Sequence, residues 1–259
     1  MPPARRRPSH LSGLRRLPEA PRLRGAALLL SLTASAMSCT PASDEPPSSA
    51  QPDPSAQPAG DALRWLALGD SYTIGEGVGA AERWPSQAAD RLRADGLALA
   101  SPEIVAATGW TTDELAASLD AADVGGAYDL VTLLIGVNDQ YRERPAAAFR
   151  APFRQLAARA VAFAGGDASR VVVVSIPDWG VTPFAEGRDG AEIARQLDAY
   201  NAVARDEAER AGVAFVDITP LSRTQGALVA GDGLHPSGAA YRGWADAVTP
   251  ALRAALGDG

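Results

Sequence analysis

The sequence RVVVVSI at residues 170–176 decides the fold class of this chain. Its four consecutive valines lack the polar alternation of a half-exposed strand, and such continuous β-branched segments are typical of a parallel strand covered on both faces. Parallel strands are joined by crossover connections, which are usually helical. The stretch therefore predicts an α/β domain, and we interpret the rest of the chain outward from it.

Strands and helices alternate on both sides of this segment. Short apolar runs predict four further strands, at residues 64–68, 103–107, 129–135 and 213–217. Helices are predicted at residues 82–95, 112–121, 145–164, 192–211 and 236–256, the last with Pro236 in its first turn and a break near Pro250. This alternation predicts a three-layer α/β/α sandwich with a five-stranded parallel sheet, in one domain that spans residues 61–259.

The first 38 residues have the organisation of an export signal. Seven arginines precede an apolar run at residues 26–32, and small residues follow as far as Ser38. This is the order of the positive, apolar and small-residue regions of a signal peptide. The apolar run is too short to span a bilayer, which needs about 20 residues. We therefore expect an exported protein with a signal peptide at residues 1–38.

Two cleavage sites compete at the end of this signal. The sequence ASA at residues 34–36 fits ordinary secretion, with a mature chain that begins at Met37. The sequence AMSC at residues 36–39 resembles a lipobox, in which the thiol of Cys39 takes a diacylglycerol, although the usual Leu three residues earlier is absent. Cys39 is the only cysteine and stands where a lipobox needs it. We expect lipidation at Cys39 and a membrane-anchored lipoprotein of the cell envelope, with a secreted or periplasmic protein as the alternative.

Residues 39–60 are predicted to form a disordered tether. Residues 40–60 contain six prolines and no aromatic or branched aliphatic residue. Such a segment cannot bury enough apolar surface to offset the entropy lost on ordering. The tether would hold a folded domain clear of a membrane surface.

Charge and residue counts exclude several classes of function. The net charge of the chain is −7, and the seven Arg and one Glu of residues 1–38 leave −13 for residues 39–259. An acidic body lacks the basic surface that nucleic-acid binding requires. One cysteine excludes an internal disulfide framework, and two histidines, His10 and His235, exclude a His-rich metal cluster. We expect no nucleic-acid partner, no metal and no cofactor.

Polar residues follow the predicted strands, where parallel α/β sheets bind their ligands. GDS at residues 69–71 follows the first strand, TGW at 108–110 the second and GVND at 136–139 the third, while DGLHP at 232–236 precedes the last helix. A serine placed between a strand and a helix can act as a nucleophile. A histidine can serve as its base, and an aspartate three residues earlier can orient that histidine. These segments together predict acyl-transfer chemistry.

These segments resemble the motif blocks of the SGNH (GDSL) hydrolase family. GDSYTIGEG at residues 69–77 is similar to the first block, with Ser71 at the nucleophile position. Gly109 matches the glycine of the second block and Asn138 the asparagine of the third, while Asp232 and His235 match the last. The resemblance implies a flavodoxin-like SGNH hydrolase fold and a monomeric serine esterase. It would cleave carboxylic esters of small or lipid-like substrates through an acyl-enzyme.

The resemblance also implies the role of each residue. Ser71 would attack the ester, His235 would transfer the proton and Asp232 would fix the imidazole tautomer. The backbone N–H groups of Ser71 and Gly109 and the side-chain amide of Asn138 would form the oxyanion hole. The narrower alternatives are a carbohydrate O-deacetylase and a lysophospholipase, and a more distant alternative is a non-catalytic binding lipoprotein on the same fold.

Other interpretations of these residues stay open on the sequence alone. Ser71 could be only a helix N-cap, and Asp139 could form an Asx turn with its own backbone. Tyr72 replaces the Leu of the family signature and bears on the shape of the pocket. Five aromatic residues could line that pocket or pack in the core: Trp84, Trp110, Tyr141, Trp179 and Phe184.

Overall fold

The computed structural model describes residues 62–122 and 124–257. Its five strands are β1 (Trp65–Gly69), β2 (Glu103–Ala106), β3 (Leu130–Leu134), β4 (Val171–Val174) and β5 (Ala214–Val216). They form one parallel sheet in the order β2-β1-β3-β4-β5, which is the strand order of flavodoxin-like folds. The predicted five-stranded parallel sheet is confirmed.

Eight α-helices surround this sheet. They are α1 (Ser71–Ile74), α2 (Trp84–Ala94), α3 (Thr112–Ala121), α4 (Val137–Tyr141), α5 (Ala146–Phe163), α6 (Gly190–Ala211), α7 (Thr219–Arg223) and α8 (Gly238–Ala255), and the described residues hold no other. Helix α2 packs against α8, and α5 packs against both α3 and α6. The two groups form the outer layers, so the predicted three-layer sandwich is also confirmed.

The interior strand β4 shows why the sequence carries a run of valines. It lies between β3 and β5, where Val172 pairs with Thr132 on one side and with Ala214 on the other. All four valines of β4 are buried, because helices cover both faces of the sheet. The polar Thr132 is tolerated in buried β3 because its hydroxyl accepts a hydrogen bond from the indole of Trp65 at 3.1 Å.

The last helix differs from the prediction at both of its prolines. Ser237 is the N-cap and accepts a hydrogen bond from the backbone N–H of Ala240, so Pro236 lies before the helix and not in its first turn. Helix α8 also continues through Pro250 to Ala255. A proline removes a single backbone hydrogen bond, and buried Val248 and Leu252 keep this part of the helix packed on the core.

Three short helices, α1, α4 and α7, were not predicted. Each has four or five residues, which is less than two turns and too short for a hydrophobic period to develop. Helix α1 begins two residues after β1, and α4 begins three residues after β3. These two helices carry Ser71 and Asn138. The short helices that position these two residues therefore could not be predicted from hydrophobic periodicity.

The described residues bear on the N-terminal predictions only in part. The predicted signal peptide, the tether and Cys39 lie outside the described residues, so the division into segments at residues 38 and 60 stays a prediction. Within residues 62–257, no helix is both long and apolar enough to cross a membrane.

Candidate active site

Four of the predicted site residues line one cavity at the carboxyl edge of the sheet. Ser71, Gly109, Asn138 and His235 come from four separate loops or helix starts and surround a volume of about 180 Å³. Asp232 lies behind His235 on the same turn. The structure therefore brings together all five residues that the motif blocks singled out.

Ser71 is presented by a tight turn between β1 and α1. A side chain at Gly69 would come within 2.5 Å of the Leu134 carbonyl oxygen, so only glycine fits there. Asp70 is the N-cap of α1, and its Oδ1 accepts a hydrogen bond from the backbone N–H of Tyr72 at 3.0 Å. Ser71 is thus the first residue of the helix, where backbone N–H groups have no partner within the helix. Its N–H is available to an oxyanion.

Asp70 is a fully buried carboxyl group directly beside the nucleophile. Burial, with a smaller contribution from the nearby charge of Asp139, raises the pKa of Asp70 from 3.8 to about 7 against the opposing effect of the hydrogen bond from Tyr72. The motif comparison assigned this residue no role. It caps α1 and so fixes where that helix, and with it Ser71, begins.

Asp232 and His235 form a hydrogen-bonded pair on the turn before α8. The imidazole Nδ1 lies 2.6 Å from Asp232 Oδ2. Asp232 Oδ1 also accepts hydrogen bonds from the backbone N–H groups of Leu234 and His235 at 2.9 and 3.0 Å. Burial opposes the charge of Asp232, but these hydrogen bonds hold its pKa below the usual value. A carboxylate on Nδ1 places the ring proton there and leaves Nε2 as the basic nitrogen.

The hydroxyl of Ser71 makes no hydrogen bond to His235 among the described residues. Both side chains line the same cavity, and in enzymes of this type such contacts often tighten only when substrate is bound. The pair therefore fits a nucleophile and base that close on the ester together.

Tyr72, at the position of the family's Leu, packs directly against the catalytic turn. Its ring lies edge to face with the imidazole of His235, with 5.9 Å between centroids, and 5.8 Å from the ring of Trp244. Tyr72 is buried and lines the cavity of Ser71. The prediction that Tyr72 contributes to the shape of the pocket agrees with this placement.

Gly109 and Asn138 are held in place by hydrogen bonds between their two loops. Gly109 has a φ of 86°, in the left-handed region that favours glycine. Its carbonyl oxygen accepts a hydrogen bond from Arg142 at 2.8 Å. The side-chain amide of Asn138 donates to the carbonyl oxygen of Trp110 at 2.9 Å. A primary amide has two N–H donors, so one remains for a substrate oxygen.

Asp139 does not form the Asx turn that its position suggested. Its carboxylate accepts hydrogen bonds from the backbone N–H and the hydroxyl of Thr112, both at 2.9 Å, and from Arg144 at 2.9 Å. The residue is buried and joins α4 to the first turn of α3. This long-range contact satisfies the carboxylate better than its own backbone would, because the N–H groups of a first helical turn lack partners within the helix.

The five aromatic candidates divide into two groups. Tyr141, Trp179 and Phe184 line the cavity beside Ser71 and contact one another, with ring centroids 5.6 to 6.3 Å apart. We call these three rings the aromatic platform. Trp84 is instead buried in the core against Trp65, and Trp110 contributes its backbone carbonyl to Asn138.

Two arginines near the site were not found from the sequence. Arg142 holds the carbonyl of Gly109, and the guanidinium of Arg188 lies over the aromatic platform. Neither belongs to a motif block, and an isolated arginine carries no signal in a chain with 24 of them. Among residues 62–257 no group of three or more His, Cys, Asp or Glu is placed to hold a metal ion.

The comparisons with known proteins show the family and the fold of the chain. The model of a family described as "GDSL-like Lipase/Acylhydrolase family" matches residues 67–242, a span that includes all five site residues. No curated protein matches the chain significantly.

Several solved structures share the fold. The crystal structure of TesA is 23% identical with a TM-score of 0.60, over 74% of this chain and 99% of that one. Axe2, an acetylxylan esterase from Geobacillus stearothermophilus, is 20% identical with a TM-score of 0.55, over 75% and 94% of the two chains. A lipase/acylhydrolase from Enterococcus faecalis is 20% identical with a TM-score of 0.56, over 74% and 96%.

Proposed function

Because the chain belongs to the GDSL-like lipase/acylhydrolase family, we propose that Ser71, His235 and Asp232 carry out its ester hydrolysis. One observation supports this assignment above all. Ser71 and His235 line one cavity of about 180 Å³, and Nδ1 of that histidine lies 2.6 Å from Asp232. A hydroxyl, a histidine with a carboxylate on Nδ1, and a shared cavity are the features that nucleophilic catalysis needs, and they support the proposal.

The reaction proceeds in two acyl-transfer steps. The hydroxyl oxygen of Ser71 attacks the ester carbonyl carbon while Nε2 of His235 takes the hydroxyl proton. The tetrahedral intermediate collapses, the C–O bond to the alcohol breaks, and His235 returns the proton to the leaving oxygen. Water then attacks the acyl-enzyme with His235 again as base, and the carboxylic acid leaves Ser71. Asp232 keeps the imidazole oriented and stabilises its charge in both steps.

The oxyanion would be held by three N–H donors. These are the backbone N–H groups of Ser71 and Gly109 and the remaining amide proton of Asn138. They belong to α1, the loop after β2 and α4, and the hydrogen bonds that Arg142 and Asn138 donate to residues 109 and 110 hold the last two together. Donors fixed before the reaction stabilise the charge that develops without having to reorganise.

The size of the cavity favours a short acyl group. Pockets for drug-sized ligands are roughly 300–1,000 Å³, whereas the cavity at Ser71 measures about 180 Å³. We therefore propose esters of short carboxylic acids as substrates, with the alcohol part lying toward the aromatic platform. A panel of p-nitrophenyl esters should show kcat/KM falling as the acyl chain lengthens beyond a few carbons. A preference for long chains would contradict the short-acyl proposal and favour a lipid-like substrate.

A carbohydrate O-deacetylase is the second candidate, and the aromatic platform favours it. Tyr141 and Phe184 are exposed, at 45% and 38%, and exposed aromatic side chains beside a catalytic serine can pack against a sugar. Release of acetate from acetylated sugars would support this narrower activity. Release of acetate from p-nitrophenyl acetate but not from acetylated sugars would favour the broader esterase activity.

A fluorophosphonate probe tests the nucleophile. Ser71 should be the residue that reacts, so Ser71→Ala should abolish both labelling and ester hydrolysis. Ser169→Ala, which changes an exposed serine bound to Asp167, serves as the matched control and should label like the wild type. Labelling that persists in Ser71→Ala would assign the nucleophile elsewhere, and an unlabelled wild type would favour the non-catalytic binding protein.

We also propose that the protein is exported and lipidated at Cys39. The arginine-rich start, the apolar run, the single cysteine and the proline-rich segment after it support this proposal. Labelling with radioactive palmitate in the native host should mark the wild type and not Cys39→Ala. A wild-type chain that begins at Met37 and is found free in the medium would contradict it.

A further inference from the structure

We propose that Arg188 recognises an anionic group on the ester substrate. The natural substrate would then be an ester whose alcohol part carries a carboxylate or a phosphate. The inference rests on the proposed function, because it assigns a binding role beside the catalytic cavity. It goes beyond that function by naming the chemical class of the alcohol part.

Arg188 is held over the aromatic platform. Its guanidinium carbon lies 5.4 Å from the ring centroids of Tyr141 and Trp179 and 5.3 Å from that of Phe184. One guanidinium nitrogen donates to the Tyr141 hydroxyl at 3.3 Å. These three rings line the cavity of Ser71, whereas Arg188 does not line it.

The guanidinium has no carboxylate partner within the part of the chain that the structure describes. Two other arginines line a cleft together with Arg188, and both are ion-paired. Arg144 pairs with Asp113 and Asp139, and Arg195 pairs with Glu192. Stacking engages the flat face of a guanidinium and leaves its N–H donors at the edge. Those donors can bind a carboxylate or phosphate with two parallel hydrogen bonds.

Arg188 also lines a second and larger cleft next to the catalytic cavity. This cleft has a volume of about 590 Å³ and shares Tyr141 and Trp179 with the cavity of Ser71. An ester whose acyl group enters the smaller cavity would therefore pass its alcohol part across these two rings. An anionic group on that alcohol would meet Arg188 as it reaches the cleft.

The acidic residues of the cleft do not compete closely for Arg188. Glu192 is bound by Arg195 and Gln196, and Asp189 caps α6 through its hydrogen bond with the Glu192 backbone. Glu143 also lines the cleft, so the overall charge of the cleft is not positive. Recognition of an anion must then come from direct contact with Arg188 and not from the field of the surface.

The test compares two acetate esters that differ only in charge. The substrates are 4-acetoxybenzoate, which carries a carboxylate, and 4-acetoxybenzamide, its neutral counterpart. The ratio of their kcat/KM values is measured for the wild type, Arg188→Ala, Arg188→Lys and Arg242→Ala, the last a change of an exposed arginine on α8 outside the cleft. Comparing this ratio between variants cancels the difference in intrinsic reactivity of the two esters.

We expect the carboxylate-to-amide ratio to fall roughly tenfold in Arg188→Ala, as for the loss of one charge-assisted hydrogen bond. The fall should lie mainly in KM, because the contact is the same in ground and transition states. Arg188→Lys should keep part of the ratio, and Arg242→Ala should keep all of it. An unchanged ratio in Arg188→Ala, or an equal loss on both esters, would overturn the inference while the esterase stands. A wild type that hydrolyses neither ester and does not react with fluorophosphonate would overturn the proposed function and the inference with it.

Discussion

The side-chain amide of Asn138 donates a hydrogen bond to the backbone carbonyl of Trp110 at 2.9 Å. Asn138 lies in α4, which follows β3, and Trp110 lies in the loop that follows β2. Each of these two segments supplies one proposed oxyanion donor. The contact therefore fixes the distance between the amide of Asn138 and the neighbouring N–H of Gly109. An oxyanion hole depends on such fixed donors, and this relationship leads to the first prediction.

Asn138→Ala should lower kcat by roughly 10²–10³ with KM nearly unchanged. The amide stabilises charge that develops only in the transition state, so the bound ester should lose little. Steady-state kinetics on p-nitrophenyl acetate measure both constants.

The control for this variant is a thermal melting curve, because the Trp110 contact is lost as well. A folded Asn138→Ala protein with normal kcat, or with a change in KM alone, would remove Asn138 from the mechanism.

Asp139→Ala should lower the stability of the fold, so it is not a neutral control for Asn138→Ala. Removing the carboxylate leaves the buried N–H and hydroxyl of Thr112 without their partner. A buried donor left without a partner costs about 1–3 kcal/mol, so the free energy of unfolding should fall by that amount in urea denaturation. Asp139→Asn keeps an acceptor for Thr112 and should lose less. Equal stability of wild type and Asp139→Ala would show that the hydrogen bonds between Asp139 and Thr112 do not stabilise the fold.

Asp70→Asn should change how stability depends on pH. The pKa of the buried Asp70 carboxyl is raised from 3.8 to about 7, so between these values the folded chain holds a proton that the unfolded chain releases. Stability of the wild type should therefore fall as pH rises through this window and level off above it. Relative to the wild type, Asp70→Asn should gain about 2–3 kcal/mol between pH 5 and pH 8.

Urea denaturation at the two pH values checks this prediction. Asn can still cap α1 through its side-chain oxygen, so the start of the helix should be preserved. Asp90→Asn changes an exposed carboxylate on α2 and serves as the control. A stability difference between wild type and Asp70→Asn that is the same at both pH values would contradict the raised pKa of Asp70.

Asp232→Asn should lower kcat by several orders of magnitude while the fold is retained. An amide in place of the carboxylate can present an N–H to Nδ1 of His235, which would move the ring proton to Nε2 and remove the base. His235 is the only histidine in residues 39–259, so His235→Ala should cause a comparable loss. Activity of either variant within tenfold of the wild type would show that another group acts as the base.

The sequence by itself predicts the fold and the candidate site residues through signals that are local in the chain. Continuous valines at residues 171–174 specify a strand buried on both faces, and the largely apolar strands β1 and β3 are also buried throughout. The motif blocks of Ser71, Gly109, Asn138 and His235 lie in turns after strands or before a helix, and a parallel sheet brings such turns to one edge. Periodicity and turn chemistry need only neighbouring residues, so one sequence was enough to predict them.

The tertiary structure decided which polar groups meet, because a side chain selects its partner by distance in space. Asp139 could have bonded its own backbone, but the fold offers it Thr112, which is 27 residues away in the chain. Arg188 could have paired with one of many carboxylates, but the turn after Phe184 places it over three rings that line the cavity of Ser71. The buried position of Asp70, which raises its pKa, arises in the same way from the packing of elements distant in sequence. These contacts depend on how the helices pack on the sheet, and no local pattern of residues encodes that packing.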